Sequence, residues 1–137
     1  MSIVYYRTGS GKIPVKEYFS KFDLRRDIDR KKLIKVRSVI EMSAQNKGIP
    51  GGKFSGIVRG HNYQALKIPT GERTIRILYF MFSGETLVLL NAFDKPARYD
   101  EKAERRRVNR DVEPVYEETE LFYQDFLLRP NQYEKYE

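Results

Sequence analysis

The chain of 137 residues contains no cysteine and a single histidine, His61. The absence of cysteine excludes disulfides, zinc–thiolate sites and thiol nucleophiles. One histidine excludes acid–base catalysis by a histidine pair within one chain. No apolar run approaches the roughly 18 residues of a membrane span, and no apolar segment typical of a signal peptide follows Met1. We therefore expect a cytoplasmic protein that makes no membrane contact.

Positive charge is abundant but unevenly distributed along the chain. Residues 1–113 hold 24 Lys or Arg against 13 Asp or Glu, a net charge of +11. Residues 114–137 hold 2 against 6, a net charge of −4, which gives the overall +7. A surplus of this size on a small protein attracts phosphate backbones. The composition therefore favours a nucleic-acid partner, and a basic protein that binds no nucleic acid is the alternative.

The length and the 40% of hydrophobic residues predict one folded domain. Hydrophobic periodicity and turn residues predict the order β, α, α, β, β, β, α. The first strand covers residues 3–7, the first helix residues 14–22, and a second helix ends near residue 47. Residues 48–60 read as a flexible connector. The predicted buried positions of the second helix are Ile28, Leu33, Val36, Ile40 and Ala44.

Residues 63–99 predict a three-strand antiparallel meander, which is the most informative part of the chain. Alternation in the middle strand places Ile75, Ile77, Tyr79 and Met81 on one face and Thr74, Arg76, Leu78, Phe80 and Phe82 on the other. Residues 87–90 are continuously apolar, as in a strand covered on both faces. A charged residue in the central strand requires a reason, and a bound phosphate supplies one for Arg76. Alternatively, Arg76 pairs with Glu118 or Glu120.

Several short motifs occur in a fixed order. They are Tyr5-Tyr6, Gly-Lys-Ile-Pro-Val-Lys-Glu-Tyr at 11–18, Tyr-Gln-Ala-Leu-Lys at 63–67, Arg-Ile-Leu-Tyr-Phe at 76–80 and Leu-Leu-Asn-Ala-Phe-Asp-Lys at 89–95. In order and spacing this set resembles the RelE superfamily, and within it the HigB-type branch of phage-derived toxin-like proteins. The resemblance covers residues 3 to about 128.

The resemblance implies a fold and a function. The fold is α+β, a twisted antiparallel sheet with two N-terminal helices and a C-terminal closing helix. The function is that of the toxin in a type II toxin–antitoxin pair, an endoribonuclease that cuts mRNA, most often on the ribosome. Such enzymes use neither metal nor cofactor, and a small helix-turn-helix antitoxin neutralises them.

RNA cleavage requires removal of the 2′-OH proton, stabilisation of a pentavalent phosphate and protonation of the 5′ oxygen. On this scheme Arg76, Lys95 and Arg98 bind the phosphate and its developing charge, because cationic side chains match phosphate oxygens. Lys67 is the candidate acceptor of the 2′-OH proton, and Tyr99 stacks on a base or transfers a proton. Further RNA contacts are predicted for Lys53, Arg73, Arg105, Arg106 and Arg107.

The chain departs from the family pattern at four motif positions. Ala65, Lys67, Asn91 and Pro96 stand where the family usually has Glu, Arg, His and Lys. Residues 99–111 read as a basic, helical insertion before a closing helix that begins at residues 113–114 and ends near 128. Residues 1–128 then form the domain and residues 129–137 a C-terminal tail. His61 is predicted to be a surface residue without a role.

Two other function classes remain beside the ribonuclease. One is a non-catalytic RNA- or DNA-binding module on the same fold, which the substitutions at Ala65, Asn91 and Pro96 favour. The other is a phage interaction protein that has lost RNA affinity. On these alternatives Lys95 and Arg98 are solvated loop residues, and the arginine run is an ordinary solvated helix face.

Overall fold

The computed structural model describes residues 2–51, 53–98 and 101–136. This part of the chain is α+β, with three helices and one six-stranded mixed sheet. The elements in chain order are β1 (Ser2–Tyr6), α1 (Pro14–Phe19), α2 (Asp27–Gln45), β2 (Ser55–Ile57), β3 (Gln64–Pro69), β4 (Arg73–Phe82), β5 (Thr86–Pro96), α3 (Lys102–Leu128) and β6 (Tyr133–Lys135).

The strands lie in the order β2-β3-β4-β5-β1-β6. Strands β3, β4 and β5 form the antiparallel meander predicted for residues 63–99. The prediction of a wholly antiparallel sheet is wrong, because β1 pairs with β5 in parallel. A parallel pair needs a long crossover connection, and here the helices α1 and α2 lie within the chain that links the two strands.

Two hydrophobic cores lie on opposite faces of the sheet. Helices α1 and α2 pack on the face that carries Ile75, Ile77 and Tyr79, and α3 packs on the face that carries Leu78 and Phe80. The alternation predicted for β4 is therefore confirmed. The four residues 87–90 have no exposed surface, as their continuous apolar run predicts.

Helix α3 is longer than predicted. The boundary placed at residues 113–114 is wrong, since one helix runs from Lys102 to Leu128 with Pro114 inside it. Val108 and Val112 are buried before the proline, and Thr119 and Phe126 are buried after it. Because both halves pack on the sheet, the helix continues through a residue that removes one backbone hydrogen bond. The predicted helicity of the arginine-rich segment is confirmed for residues 102–111.

Two short edge strands were not predicted. Strand β2 forms within the expected connector, and β6 forms within the expected tail and pairs with β1. The predicted burial of Ile28 in α2 is wrong, since its side chain is 55% exposed. Asp29 is buried instead and accepts a hydrogen bond from the Asp23 N–H, 2.8 Å away. Ile28, one position earlier on the helix, faces outward.

Candidate functional site

A basic row crosses the meander on the face that α3 covers in part. Lys67 of β3 lies directly opposite Arg76 of β4, and Arg76 lies opposite Phe93 of β5. Side chains at such positions have Cβ atoms about 5 Å apart, and two like charges there destabilise a sheet. We call Lys67 and Arg76 the basic row. Its cost to the fold indicates a role outside folding.

No carboxylate compensates the basic row within the described part of the chain. Neither Lys67 nor Arg76 forms an ion pair there. The alternative partners of Arg76 are engaged elsewhere. Glu118 accepts a hydrogen bond from Asn91 at 3.1 Å, and Glu120 accepts one from His61 at 2.9 Å.

The guanidinium of Arg76 also has a hydrogen-bond donor that is unsatisfied. Its Nε is buried and has no hydrogen-bond partner among the described residues. A buried polar group without a partner costs about 1–3 kcal/mol, and more when it is charged. An anion bound at the basic row would compensate the charge of this guanidinium.

Lys67 is placed by a glycine on the edge strand. Its backbone N–H donates to the Phe54 carbonyl at 2.7 Å, and its side chain is half-buried. A Cβ atom on Gly56 would lie 3.1 Å from Lys67 Nζ. Gly56 therefore leaves room for the amine above β2. Lys53, the residue before Phe54, is exposed beside the same strand edge with its amine 5.4 Å from the Phe54 ring centroid.

Lys95 lies on the same face as Arg76, two residues beyond Phe93, and pairs in register with Thr74. Arg73 points to the other face, where it forms an ion pair with Asp94. The hydroxyl of Tyr18 donates to the same carboxylate at 2.8 Å. Arg73 was predicted to bind RNA, but its charge is compensated within the protein.

The Asp94 carboxylate stays ionised in spite of its burial. Burial acts to raise the pKa of Asp94. The hydrogen bonds from Arg73 and Tyr18 and the charge of Arg73 together lower it by more, so its pKa lies below the ordinary value. Burial and the neighbouring carboxylate both raise the pKa of Tyr18. Tyr18 therefore remains a hydroxyl donor that ties α1 to the end of β5.

The remaining predicted residues are exposed or lie beyond the described chain. Arg98 is exposed just after β5, and Tyr99 lies outside the described residues. Arg105 and Arg106 are exposed on α3 and do not join the basic row. Arg107, also exposed, lines a cavity together with Lys95. The structure thus brings Lys67, Arg76, Lys95 and Arg107 to one face, whereas Lys53 lies at the sheet edge and Arg73 on the opposite face.

Sequence reasoning missed a pair formed by His61 and Glu120. His61 Nδ1 lies 2.9 Å from a carboxylate oxygen of Glu120, and the imidazole stacks on Tyr63 with the centroids 4.7 Å apart. Tyr63 is fixed in turn by a 2.8 Å hydrogen bond from its hydroxyl to the Tyr116 carbonyl. His61 was predicted to be a surface residue, and its side chain is 23% exposed, but it is packed on Tyr63 and partnered by Glu120. The contact joins residues 59 positions apart, so no local pattern signalled it.

Asn91 of β5 anchors α3. Its amide donates to Glu118 and to Thr119, each at 3.1 Å, and the residue is buried. The pairing of β4 with β5 shifts register next to it, between Leu78 and Tyr79. Such a bulge re-aims a side chain, and here it points the amide at the helix.

The arrangement offers cations for an anion rather than ligands for a metal. Among the described residues, no three His, Cys, Asp or Glu side chains are grouped so that they could hold a metal ion. None of the described helices is both long and apolar enough to cross a membrane.

No family model matches the chain, and neither does any curated protein.

Proposed function

We propose that the protein is a metal-independent endoribonuclease that cuts mRNA, acting as the toxin of a toxin–antitoxin pair. The observation that carries the proposal is the uncompensated basic row, with the buried Arg76 Nε lacking a partner. Two cations on adjacent strands can each contact a non-bridging oxygen of one phosphodiester. The same contacts stabilise the extra charge of a pentavalent phosphate.

The proposed roles follow from position. Arg76 holds the scissile phosphate, and Lys95 on the same face contacts the phosphate next to it. Lys67, opposite Arg76, is the proposed acceptor of the 2′-OH proton: its neutral amine takes the proton, and the ammonium that results contacts a non-bridging oxygen of the phosphate. The ribosome and a small helix-turn-helix antitoxin are the proposed partners, as the family resemblance implies.

Expression in a bacterial host tests this function. Primer extension would map the 5′ ends of host mRNA after induction of the wild-type protein, Arg76→Ala and Arg37→Ala. Arg37 is the matched control, because it lies in α2 on the other face of the sheet and pairs with Glu41 at 3.1 Å. We expect new cuts with the wild type and Arg37→Ala, and at least tenfold fewer with Arg76→Ala. Equal cutting by both variants contradicts the site, and no cutting by soluble wild type contradicts the activity.

One observation favours a second function, non-catalytic RNA binding on the same face. Asn91, at the position where the family resemblance gives a histidine, is a buried amide bonded to α3, and an amide is not an acid–base group. This candidate predicts binding of single-stranded RNA by the basic row without cleavage of the bound strand. Incubating the purified protein with end-labelled RNA, with and without ribosomes, separates the two functions.

A further inference from the structure

A cavity of about 310 Å³ opens between the end of β5 and the first turns of α3. Its floor is apolar and includes Phe93, Val108 and Val112. Its charged lining residues are Lys95, Arg107 and Asp111 at the rim, and the ion-paired Arg73 and Asp94 at the end of the sheet. The volume is at the lower end of the range of about 300–1,000 Å³ found for small-ligand sites. The rim residues Lys95, Arg107 and Asp111 leave a net charge of +1 above the apolar floor, which suits a flat heterocycle attached to an anion.

The cavity adjoins the basic row. Phe93 is the residue opposite Arg76, so Lys67, Arg76 and Phe93 form a row across three neighbouring strands on one face of the sheet. Neighbouring strands lie about 4.8 Å apart, so the backbones of Lys67 and Phe93, two strands apart, are separated by roughly 10 Å across the sheet. The Phe93 ring is held at 86° to the Tyr116 ring with the centroids 5.6 Å apart. A phosphate on the basic row and a base on the Phe93 floor are within the reach of one nucleotide.

The charge pattern of α3 opposes helix stability. Residues 102–111 carry a net charge of +3 at the positive end of the helix dipole, and residues 112–128 carry −5 towards the negative end. Both placements are unfavourable for a helix. Arg107, at the rim, forms no ion pair within the described residues. The arginines of this segment are thus placed against the preference of the helix, and one of them, Arg107, lines the cavity.

We propose that this cavity, which we call the α3 cavity, binds one base of single-stranded RNA. This inference rests on the proposed RNA-binding function of the basic row. The base lies against the Phe93 floor, its own phosphate contacts Arg76, and Arg107 contacts the next phosphate along the strand. The long α3 thus forms one wall of the RNA site instead of only closing the sheet.

Binding of a fluorescently labelled RNA hexamer to the full chain tests the cavity. Arg107→Ala is compared with Arg110→Ala, an exposed arginine of the same helix that does not line the cavity. We expect Arg107→Ala to raise the Kd about tenfold, because it removes one charge-assisted phosphate contact, and Arg110→Ala to raise it less than threefold.

A variant that fills the cavity distinguishes the contribution of the base to binding from that of the phosphate. Val115 is half-buried and lines the cavity, so Val115→Phe places a ring where the base would lie. Wild-type protein should bind the hexamer at least tenfold more tightly than an abasic ribose phosphate oligomer of equal length. Val115→Phe should bind both with the affinity of the abasic oligomer. Circular dichroism checks that the variant is folded, and Arg107→Ala provides the second, less invasive variant.

The outcomes distinguish this inference from the function on which it rests. If Arg107→Ala and Val115→Phe bind the hexamer like wild type while Arg76→Ala binds it weakly, the α3 cavity is not a base site and the basic row stands. If Arg76→Ala and wild type bind the hexamer equally, both proposals fall.

Discussion

At the scale of single residues, Asp94 holds the end of β5 in place beside the proposed site. It accepts hydrogen bonds from Tyr18 of α1 and Arg73 of β4, and it directly precedes Lys95. These partners lower its pKa although burial alone would raise it. Asp94 therefore joins two elements only while it is ionised.

Replacement of this carboxylate gives a pH-dependent loss of stability. A carboxyl group with a lowered pKa in the folded state stabilises the protein above its unfolded pKa of about 3.9, and this contribution is lost as the pH falls through the folded value. We expect Asp94→Asn to reduce the free energy of unfolding by about 1–2 kcal/mol at pH 7, a modest value because Arg73 is half-exposed. Urea unfolding at pH 7 and at about pH 3 should show that the difference in the free energy of unfolding between wild type and Asp94→Asn shrinks towards zero at the lower pH. A gap of equal size at both pH values would disprove this role.

At the scale of elements, α3 connects the sheet to the arginine-rich segment. Its buried residues lie on both sides of Pro114, and Pro114 itself is exposed. An interior proline costs about 3 kcal/mol relative to alanine, because it lacks a donor and its ring contacts the preceding turn. Packing on the sheet offsets this cost.

Pro114→Ala should therefore stabilise the protein. Restoring the hydrogen bond outweighs the greater freedom of the unfolded chain, which costs up to about 1 kcal/mol, and leaves a net gain of about 2 kcal/mol. Thermal unfolding would measure the gain as a Tm higher by several degrees. Glu113→Ala, at the exposed neighbouring position, is the control and should change stability by less than about 0.5 kcal/mol. A lower Tm for Pro114→Ala would mean that the proline is needed for the shape of α3.

Elements with a strong local pattern were predictable from the sequence. The alternation in β4 and the apolar run of β5 gave the correct faces, because side chains in a strand alternate regardless of what lies beyond. The strands β2 and β6 are three residues long, too short for a periodic signal. The proline misled the prediction of α3, because local helix rules take no account of packing on the sheet.

The candidate site was predictable only in part. Arg76 stood out as a charge in a central strand. The position of Lys67 opposite it, however, depends on the register of β3 with β4, which a single sequence does not specify. The α3 cavity forms only because α3 crosses back over Phe93, and the first residue of α3 that lines it, Arg107, lies 14 positions after Phe93 in the chain. The His61–Glu120 pair depends on the same long-range packing.

At the scale of the whole molecule, the face covered by α3 carries, on the strands of the sheet itself, cations without an ion pair among the described residues. On the opposite face, Lys31 and Arg37 of α2 are paired with Asp27 and Glu41. The face covered by α3 carries the basic row, for which no ion pair forms within the described residues. A strand of RNA is therefore expected on the α3 face, although basic residues occur on both.

The salt dependence of RNA affinity tests this central claim most directly. For a single strand, the slope of log Kobs against log salt concentration changes by about 0.7 for each phosphate contact. The double variant Lys67→Ala/Arg76→Ala should therefore give a slope shallower than wild type by at least about 0.7. The control Lys31→Ala/Arg37→Ala removes the same charge from the opposite face and should keep the wild-type slope. Equal slopes for the two double variants would show that the RNA phosphates do not lie on the basic row.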